Sequence, residues 1–452
     1  MKLKILAILA AASLAACDDP LNVDPQQSIP QDEALNSGEE IRVGVNGMYD
    51  ALQSCDGAYC RNTLIFPDLY VDNLRYTGTY TTDAEVWGGD VRANNSGVTA
   101  IWRDYYDAIN RANNVIASIP GVTDLATGEA PQYEGEARFV RALSYLNLVN
   151  FFGGVPLVTA PVWQAGEEVN VARSSEGATW ALIESDLTAA IGLLPAARTD
   201  GRANRAAAQA LLARAHLYQR EWAQARDLAS TVIGNTAYSL SPEYADIFEK
   251  EQTSESLFEL PFTVTDGNAL AFWFYPKALG GRYGVAPSNA TSDSRPLTGI
   301  FTAGDERAPL AFRSGGGRVY GAKYTVVSTG EDDIVVLRLA EMYLIRSEAN
   351  ARLNQLAPAI ADINVIRARA GAAPLGADID TQEEVLVANL DERRREFFYE
   401  GHRFWDLRRF RDIASVGSYL ANDQGISGGR LLFPIPQREL DANSALTQNP
   451  GY

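Results

Sequence analysis

Apolar side chains recur every three or four residues through most of the chain, and that period leaves little room for a fold not built from helices. It predicts helices over 41–52, 101–118, 133–151, 179–194, 205–218, 222–233, 337–353, 357–370, 383–399 and 403–413. Two stretches share a finer pattern. Ala206-Ala-Ala-Gln-Ala-Leu-Leu-Ala-Arg-Ala-His-Leu-Tyr218 is followed by Glu221-Trp-Ala-Gln-Ala225, and Leu339-Ala-Glu-Met-Tyr-Leu-Ile-Arg-Ser-Glu-Ala-Asn-Ala351 by Ala357-Pro-Ala-Ile-Ala-Asp-Ile363. Small residues let two helix axes approach closely, so each stretch reads as a tetratricopeptide-like antiparallel pair. Residues 226–338 lie between the pairs. The expected architecture is therefore mostly α, a discontinuous tetratricopeptide-like scaffold broken by a loop-rich insertion at about 242–329. Short strands are expected within it, at 257–264 and in a hairpin pairing 310–312 with 319–327 across Ser314-Gly-Gly-Gly317.

The N-terminus carries a different signal. Lys2 and Lys4 precede an apolar run that closes on Leu14-Ala15-Ala16-Cys17. That is the layout of a signal peptide over 1–16, shorter than the ~20 apolar residues a membrane-crossing helix needs. The ending resembles a bacterial lipobox, in which Cys17 receives diacylglycerol and becomes the first mature residue; the competing reading is a secretory signal with a chance cysteine. Residues 17–30, rich in Asp, Asn, Gln and Pro, read as a lipidated tether, and 31–452 as one continuous large unit. Asp18 and Asp19 are compatible with inner-membrane retention in some lineages and with surface export in others.

Charge narrows the partners. The formal net charge is −18, and loss of Lys2 and Lys4 with the signal takes it to −20 (37 basic against 57 acidic residues). Nucleic acid and anionic membrane surfaces are excluded as principal partners, which leaves the lipid as the membrane contact. Cys55 and Cys60 flank a short Gly-containing loop, and an oxidising compartment favours a disulfide between them. A metal or redox pair there lacks further ligands nearby, since the chain holds only His216 and His402. No metal or cofactor is expected.

Catalytic motifs fare poorly. Gly425-Ile-Ser-Gly-Gly429 has the form of a nucleophile elbow, but that motif needs a flanking strand and helix and a later histidine, and both histidines precede Ser427. The many acids offer no pair singled out for glycoside hydrolysis, and no zincin, phosphate-loop or calcium-loop pattern occurs. A non-enzymatic role is expected.

Three blocks carry a family likeness. Glu136-Ala-Arg-Phe-Val-Arg-Ala-Leu-Ser-Tyr-Leu-Asn-Leu-Val-Asn-Phe-Phe-Gly-Gly-Val-Pro-Leu-Val158, Arg393-Arg-Arg-Glu-Phe-Phe-Tyr-Glu-Gly-His-Arg-Phe-Trp-Asp-Leu-Arg-Arg409, and Pro434-Ile-Pro-Gln-Arg-Glu-Leu-Asp441 with Gln448-Asn-Pro-Gly-Tyr452 resemble the SusD/RagB family in order and spacing. The resemblance implies a helical fold with tetratricopeptide units, an outer-membrane lipoprotein, and a complex with a SusC-like TonB-dependent transporter over which the lipoprotein acts as a lid. Its members mostly take glycans, and some take peptides. The 393–409 block alternates arginine with aromatics, yet Glu396, Glu400 and Asp406 sit where helix-spaced ion pairs form, so it reads as structural rather than as a nucleic-acid patch. The Gly153-Gly154-Val155-Pro156 turn likewise reads as a helix stop.

Capture of a glycan requires flat aromatic faces beside hydrogen-bonding side chains. Loops on a rigid scaffold are where such residues gather, and 64–87 and the insertion are loop-rich and aromatic. Tyr76, Tyr80, Trp87, Trp273 and Tyr283 are the expected platform, with Arg75, Asp83 and Asn289 as polar partners. For each ring the alternative is packing in the core or against the transporter. The leading expectation is a surface-exposed lipoprotein that captures an oligosaccharide for the transporter. A periplasmic helical-repeat scaffold, a peptide-capture protein and a surface glycosidase stand against it.

Overall fold

The long helices begin a few residues before their first apolar position because polar caps satisfy the first free N–H groups there. Ser37 and Glu40 form a reciprocal capping box, as do Thr381 and Glu384, while Asn95, Ser175 and Asn204 each accept a backbone N–H. The computed structural model describes residues 35–55, 57–162, 171–199 and 201–452. The expected signal peptide, Cys17 and the tether lie outside the described residues.

The helices that build the scaffold are α1 (Gly38–Leu52), α2 (Asn62–Leu69), α3 (Thr81–Trp87), α4 (Ser96–Ser118), α5 (Glu129–Phe152), α6 (Glu176–Leu193), α7 (Arg205–Tyr218), α8 (Trp222–Ile233), α9 (Leu339–Arg352), α10 (Leu356–Arg369), α11 (Gln382–Phe397) and α12 (Arg403–Phe410). From α4 to α10 each packs on the next, and α8 lies against α9 although residues 234–338 separate them. The repeat array is thus broken in sequence and continuous in space. Ala206, Ala207, Ala210 and Ala213 are fully or almost fully buried on α7, which keeps its neighbours close. Arg214 on α7 donates to both carboxylate oxygens of Glu341 on α9, at 2.7 and 2.6 Å, and to the Val336 carbonyl at 2.8 Å. That buried pair bolts the first repeat to the second.

Strands are short: β1 (Leu74–Tyr76), β2 (Ser256–Leu260), β3 (Val285–Pro287), β4 (Arg313–Gly315), β5 (Arg318–Tyr320) and β6 (Ile334–Arg338). They form antiparallel pairs β1–β3, β2–β6 and β4–β5. The β2–β6 pair ties one end of the insertion to the other, so Leu337 belongs to a strand and α9 starts at Leu339. The hairpin also differs from the sequence expectation. Residues 310–312 do not form a strand, because Asp305 caps the Arg307 N–H at 3.1 Å and Pro309 favours the first helical turn, giving the short helix Ala308–Ala311. Gly316 and Gly317, with φ of 53° and 74°, make a tight turn, and the strands flank it directly. The stretch 64–87 is more ordered than a loop, holding most of α2, β1 and α3.

The arginine-rich block is structural, but its acids pair across the fold more than along the helix. Arg338 donates to Glu400 at 2.8 Å and to Glu255 at 3.0 Å, and it also pairs with Glu396. Glu396 is shared with Arg369 and with Arg307, the latter at 3.0 Å, and Arg307 also holds Asp305 and Glu392. Lys323 reaches Glu400 at 2.7 Å. Asp406 pairs with Arg393 at 2.8 Å, and only its contact with Arg409, at 2.9 Å, has helical spacing. Breaking one partner of such a buried set costs about 3–5 kcal/mol because the other charges stay desolvated.

Burial alone would raise the Glu396 carboxyl, but Arg369, Arg338 and Arg307 overcome it and hold the group well below its ordinary 4.5. The unfolded chain therefore binds the proton more readily. This contribution to stability is complete above pH 4.5 and is lost as pH falls below it. Glu396→Gln should lower the unfolding free energy by about 3–5 kcal/mol at pH 7 and flatten the loss of stability below pH 4.5, read by urea titration at several pH values.

Candidate functional site

Asp72 stands at the root of the first aromatic stretch and is held from behind by the arginine-rich block. Arg403 donates to its two oxygens at 2.8 and 2.7 Å, Tyr419 donates at 3.0 Å, and Arg394 donates to its carbonyl at 2.6 Å. Burial opposes ionisation of Asp72, yet Arg394 and Arg403 hold its carboxyl far below the usual range. Two residues on, β1 pairs with β3, placing Arg75 opposite Ala286 and Tyr76 opposite Val285. Thr77 extends the pairing, its N–H donating to the Gly284 carbonyl at 3.0 Å and its hydroxyl to that of Tyr283 at 2.7 Å. The two aromatic stretches are thereby fused along one edge.

Tyr80 and Trp273 meet there, with ring centroids 5.3 Å apart and planes inclined at 47°. They line a cavity of about 510 Å³ together with Arg61, Asn62, Asp83 and Arg103. Arg61 lies 3.8 Å over the Trp273 ring and donates to Asp83 at 2.5 Å. Burial lowers the Arg61 guanidinium below its usual range, and the Asp83 carboxylate beside it works against that. Gly284 crowds Trp273 so closely that a Cβ would fall 2.3 Å from the indole. The indole is thus hemmed in by Arg61 and Gly284, and Tyr80, 44% exposed, is the more accessible ring. Arg282 lies 4.1 Å over Tyr80. Thr81, Thr82 and Ser96 add hydroxyls to the wall.

Of the residues expected from sequence, Tyr80, Trp273 and Asp83 come together in this cleft. Arg75 and Tyr283 lie beside it but bind each other at 3.1 Å, and Tyr283 spends its hydroxyl proton on the Val319 carbonyl at 3.0 Å. Tyr76 sits on β1, half-buried against the core. Trp87 ends α3 with 45% exposure and does not line the cleft. Asn289 accepts from the Thr291 N–H at 3.2 Å and hydroxyl at 2.7 Å, within its own turn. Sequence reasoning missed Arg61, Asn62, Arg103 and Arg282. Arg61 follows Cys60 directly, and the bond between Cys55 and Cys60 fixes the chain there, so the cysteine pair was the signal that could have found it. The cleft offers one partly exposed aromatic ring, a neutralised ion pair and hydroxyl groups, a set that suits a neutral polyhydroxylated ring.

The SusD family matches residues 311–452, and a related family described as starch-binding and associating with the outer membrane matches residues 19–217. SusD-like protein P38 of Formosa agariphila is 25% identical over 507 residues, spanning 100% of this chain and 99% of its own. The starch-binding protein SusD of Bacteroides thetaiotaomicron is 26% identical over 444 residues, 77% of each chain. A laminarin-binding SusD-like protein superposes with a TM-score of 0.80 at 26% identity, covering 92% of this chain and 100% of its own. A SusD superfamily protein of Bacteroides vulgatus gives 0.81 at 23%, covering 92% and 99%. The fold is that of the SusD-like proteins. The chain belongs to the SusD/RagB family.

The two rings of the cleft should separate in denaturation experiments. Trp273→Ala removes packing and strands Arg61, and should cost about 3 kcal/mol, whereas Tyr80→Ala should stay within about 1 kcal/mol.

Proposed function

We propose that this protein is a cell-surface lipoprotein, anchored to the outer membrane through acylated Cys17, that binds a glycan in the Tyr80–Trp273 cleft and passes it to a SusC-like TonB-dependent transporter. The observation that carries the reading is the β1–β3 junction, which brings Tyr80 and Trp273 from distant parts of the sequence into one polar cavity of sugar-binding size. The relatives lend support, since one is described as binding starch and another as binding laminarin. The role is binding without chemistry: Asp83 is committed to Arg61, and among the described residues lining the cleft it is the only carboxylate. Trp87 and Asn289 are left out of this site; Tyr76, Arg75 and Tyr283 are assigned to shaping its edge.

The disulfide has a place in this reading. It closes the loop that ends at Arg61, and so fixes the cation stacked on Trp273.

Titration of the soluble domain with laminarin and starch oligosaccharides should show binding to at least one, weakened about tenfold by Tyr80→Ala, a loss of ~1.4 kcal/mol. No binding to a broad glycan panel would favour a peptide ligand. Protease treatment of intact cells should digest the protein, and Cys17→Ser should abolish both acylation and retention in the outer membrane; protection on intact cells would instead favour a periplasmic scaffold.

A further inference from the structure

A second cavity, of about 400 Å³, shares no lining residue with the aromatic cleft. Its walls come from the start of α6, the end of α7, the end of α12 and the segment after it, and residues 428–432. Cations dominate its lining, with Arg220, Arg408, Arg409 and Arg411 against the single acid Glu176. Trp180, Trp405 and Tyr218 supply the apolar surface.

The cations are not equivalent. Arg409 is neutralised by Glu348 at 2.7 Å and Asp406 at 2.9 Å. Arg220 lies 3.6 Å from Asp412 at the rim. Arg408 is different: its guanidinium donates to the Asn150 carbonyl at 2.7 Å, the Asn150 side-chain oxygen at 3.0 Å and the Leu431 carbonyl at 3.2 Å. Those partners are all neutral, and among the described residues no carboxylate stands within ion-pair distance of it. Arg411 likewise has no carboxylate partner among the described residues, and its guanidinium donates to the Arg408 carbonyl at 2.5 Å. Burial lowers the Arg408 guanidinium to about 10; Glu176 works against that from beyond ion-pair distance, while Arg411 and Arg409 add to the depression. Elsewhere this protein answers buried arginine with carboxylate, as at Arg214, Arg307 and Arg338. A guanidinium with no directly paired carboxylate, in a cavity where four cations face one acid, attracts an anion, and a carboxylate there forms charge-assisted bonds stronger than neutral ones.

We propose that this cavity is a second ligand site, for a sugar-sized ring bearing one carboxylate. The acid group lies against Arg408 and Arg411, and the ring against Trp180 and Trp405. Arg408 lies 4.8 Å over the Trp405 ring, so the cation and the apolar surface adjoin along one wall of the cavity. Glu176 accepts the Trp180 indole N–H at 3.3 Å, and its charge reaches Arg408 without a direct ion pair, so the cations of the lining still outnumber it. Site and ligand thereby balance in a chain that is otherwise strongly acidic.

Calorimetric titration of the domain spanning 31–452 with D-glucuronate, D-glucose and acetate tests this. Glucuronate should bind at low millimolar concentration or better, and glucose and acetate at least tenfold more weakly. Arg411→Ala, on an exposed side chain, should weaken glucuronate about tenfold, and Arg408→Met should abolish it. Tyr80→Ala should leave it unchanged, which separates this site from the glycan cleft. Equal binding of glucose, binding of acetate as tight as that of glucuronate, or full glucuronate affinity in Arg411→Ala would each overturn the proposal, as would absence of glucuronate binding in a folded domain.

Discussion

The chain depends on a set of arginines whose charges are buried and answered by carboxylates from distant parts of the sequence. Arg338 joins β6 to α11 through Glu396, Arg307 joins the insertion to the same carboxylate, and Arg403 joins α12 to Asp72. A desolvated ion pair contributes little net stability, because removing both charges from water offsets most of their attraction. Its consequence is specificity. Any arrangement that misplaces one partner leaves a bare charge in the interior, so only one register of these elements is tolerable.

That constraint reaches the cleft. Asp72, pinned by Arg394 and Arg403, precedes β1, and β1 sets where Tyr80 lies. The backbone of Trp273 is fixed from the other side by the Gly284 N–H at 2.9 Å. The proposed binding surface is therefore held by the same contacts as the scaffold, which would limit the entropy lost when a ligand is ordered on it. Arg214 and Glu341 do the corresponding work between the repeats, where the excursion from α8 to α9 would otherwise leave two helix pairs free to slide.

How much of this was legible depended on whether the signal was local. Helical period is local, so α7 and α8 were read with both ends right, and the small residues Ala206 to Ala215 announced close packing. The terminal blocks that carry the family likeness were equally local. Pairing is not: nothing near Leu74 says that Val285 lies beside it, and nothing near Glu396 names Arg369. The site suffered for the same reason. Trp87 and Trp273 look alike in sequence, but one stands exposed at the end of α3 and the other is wedged between Arg61 and Gly284. The arginines escaped notice because charged residues read as solvated surface until the partner that desolvates them is known.

The two cavities show what partner identity does to an arginine. Arg61 faces its cleft already neutralised by Asp83 and spread over an indole, so the field there is weak and neutral hydroxyls compete well for the remaining hydrogen bonds. Arg408 faces its cavity bonded only to carbonyl oxygens, so the field is strong and a neutral sugar gains little from it. Similar building blocks, aromatic rings beside guanidinium groups, thus lead to two different proposals, a neutral ligand in one cavity and an anionic one in the other. What decides between them is how close a carboxylate stands: Asp83 pairs directly with Arg61, whereas Glu176, the one acid lining the other cavity, acts on Arg408 only from beyond ion-pair distance.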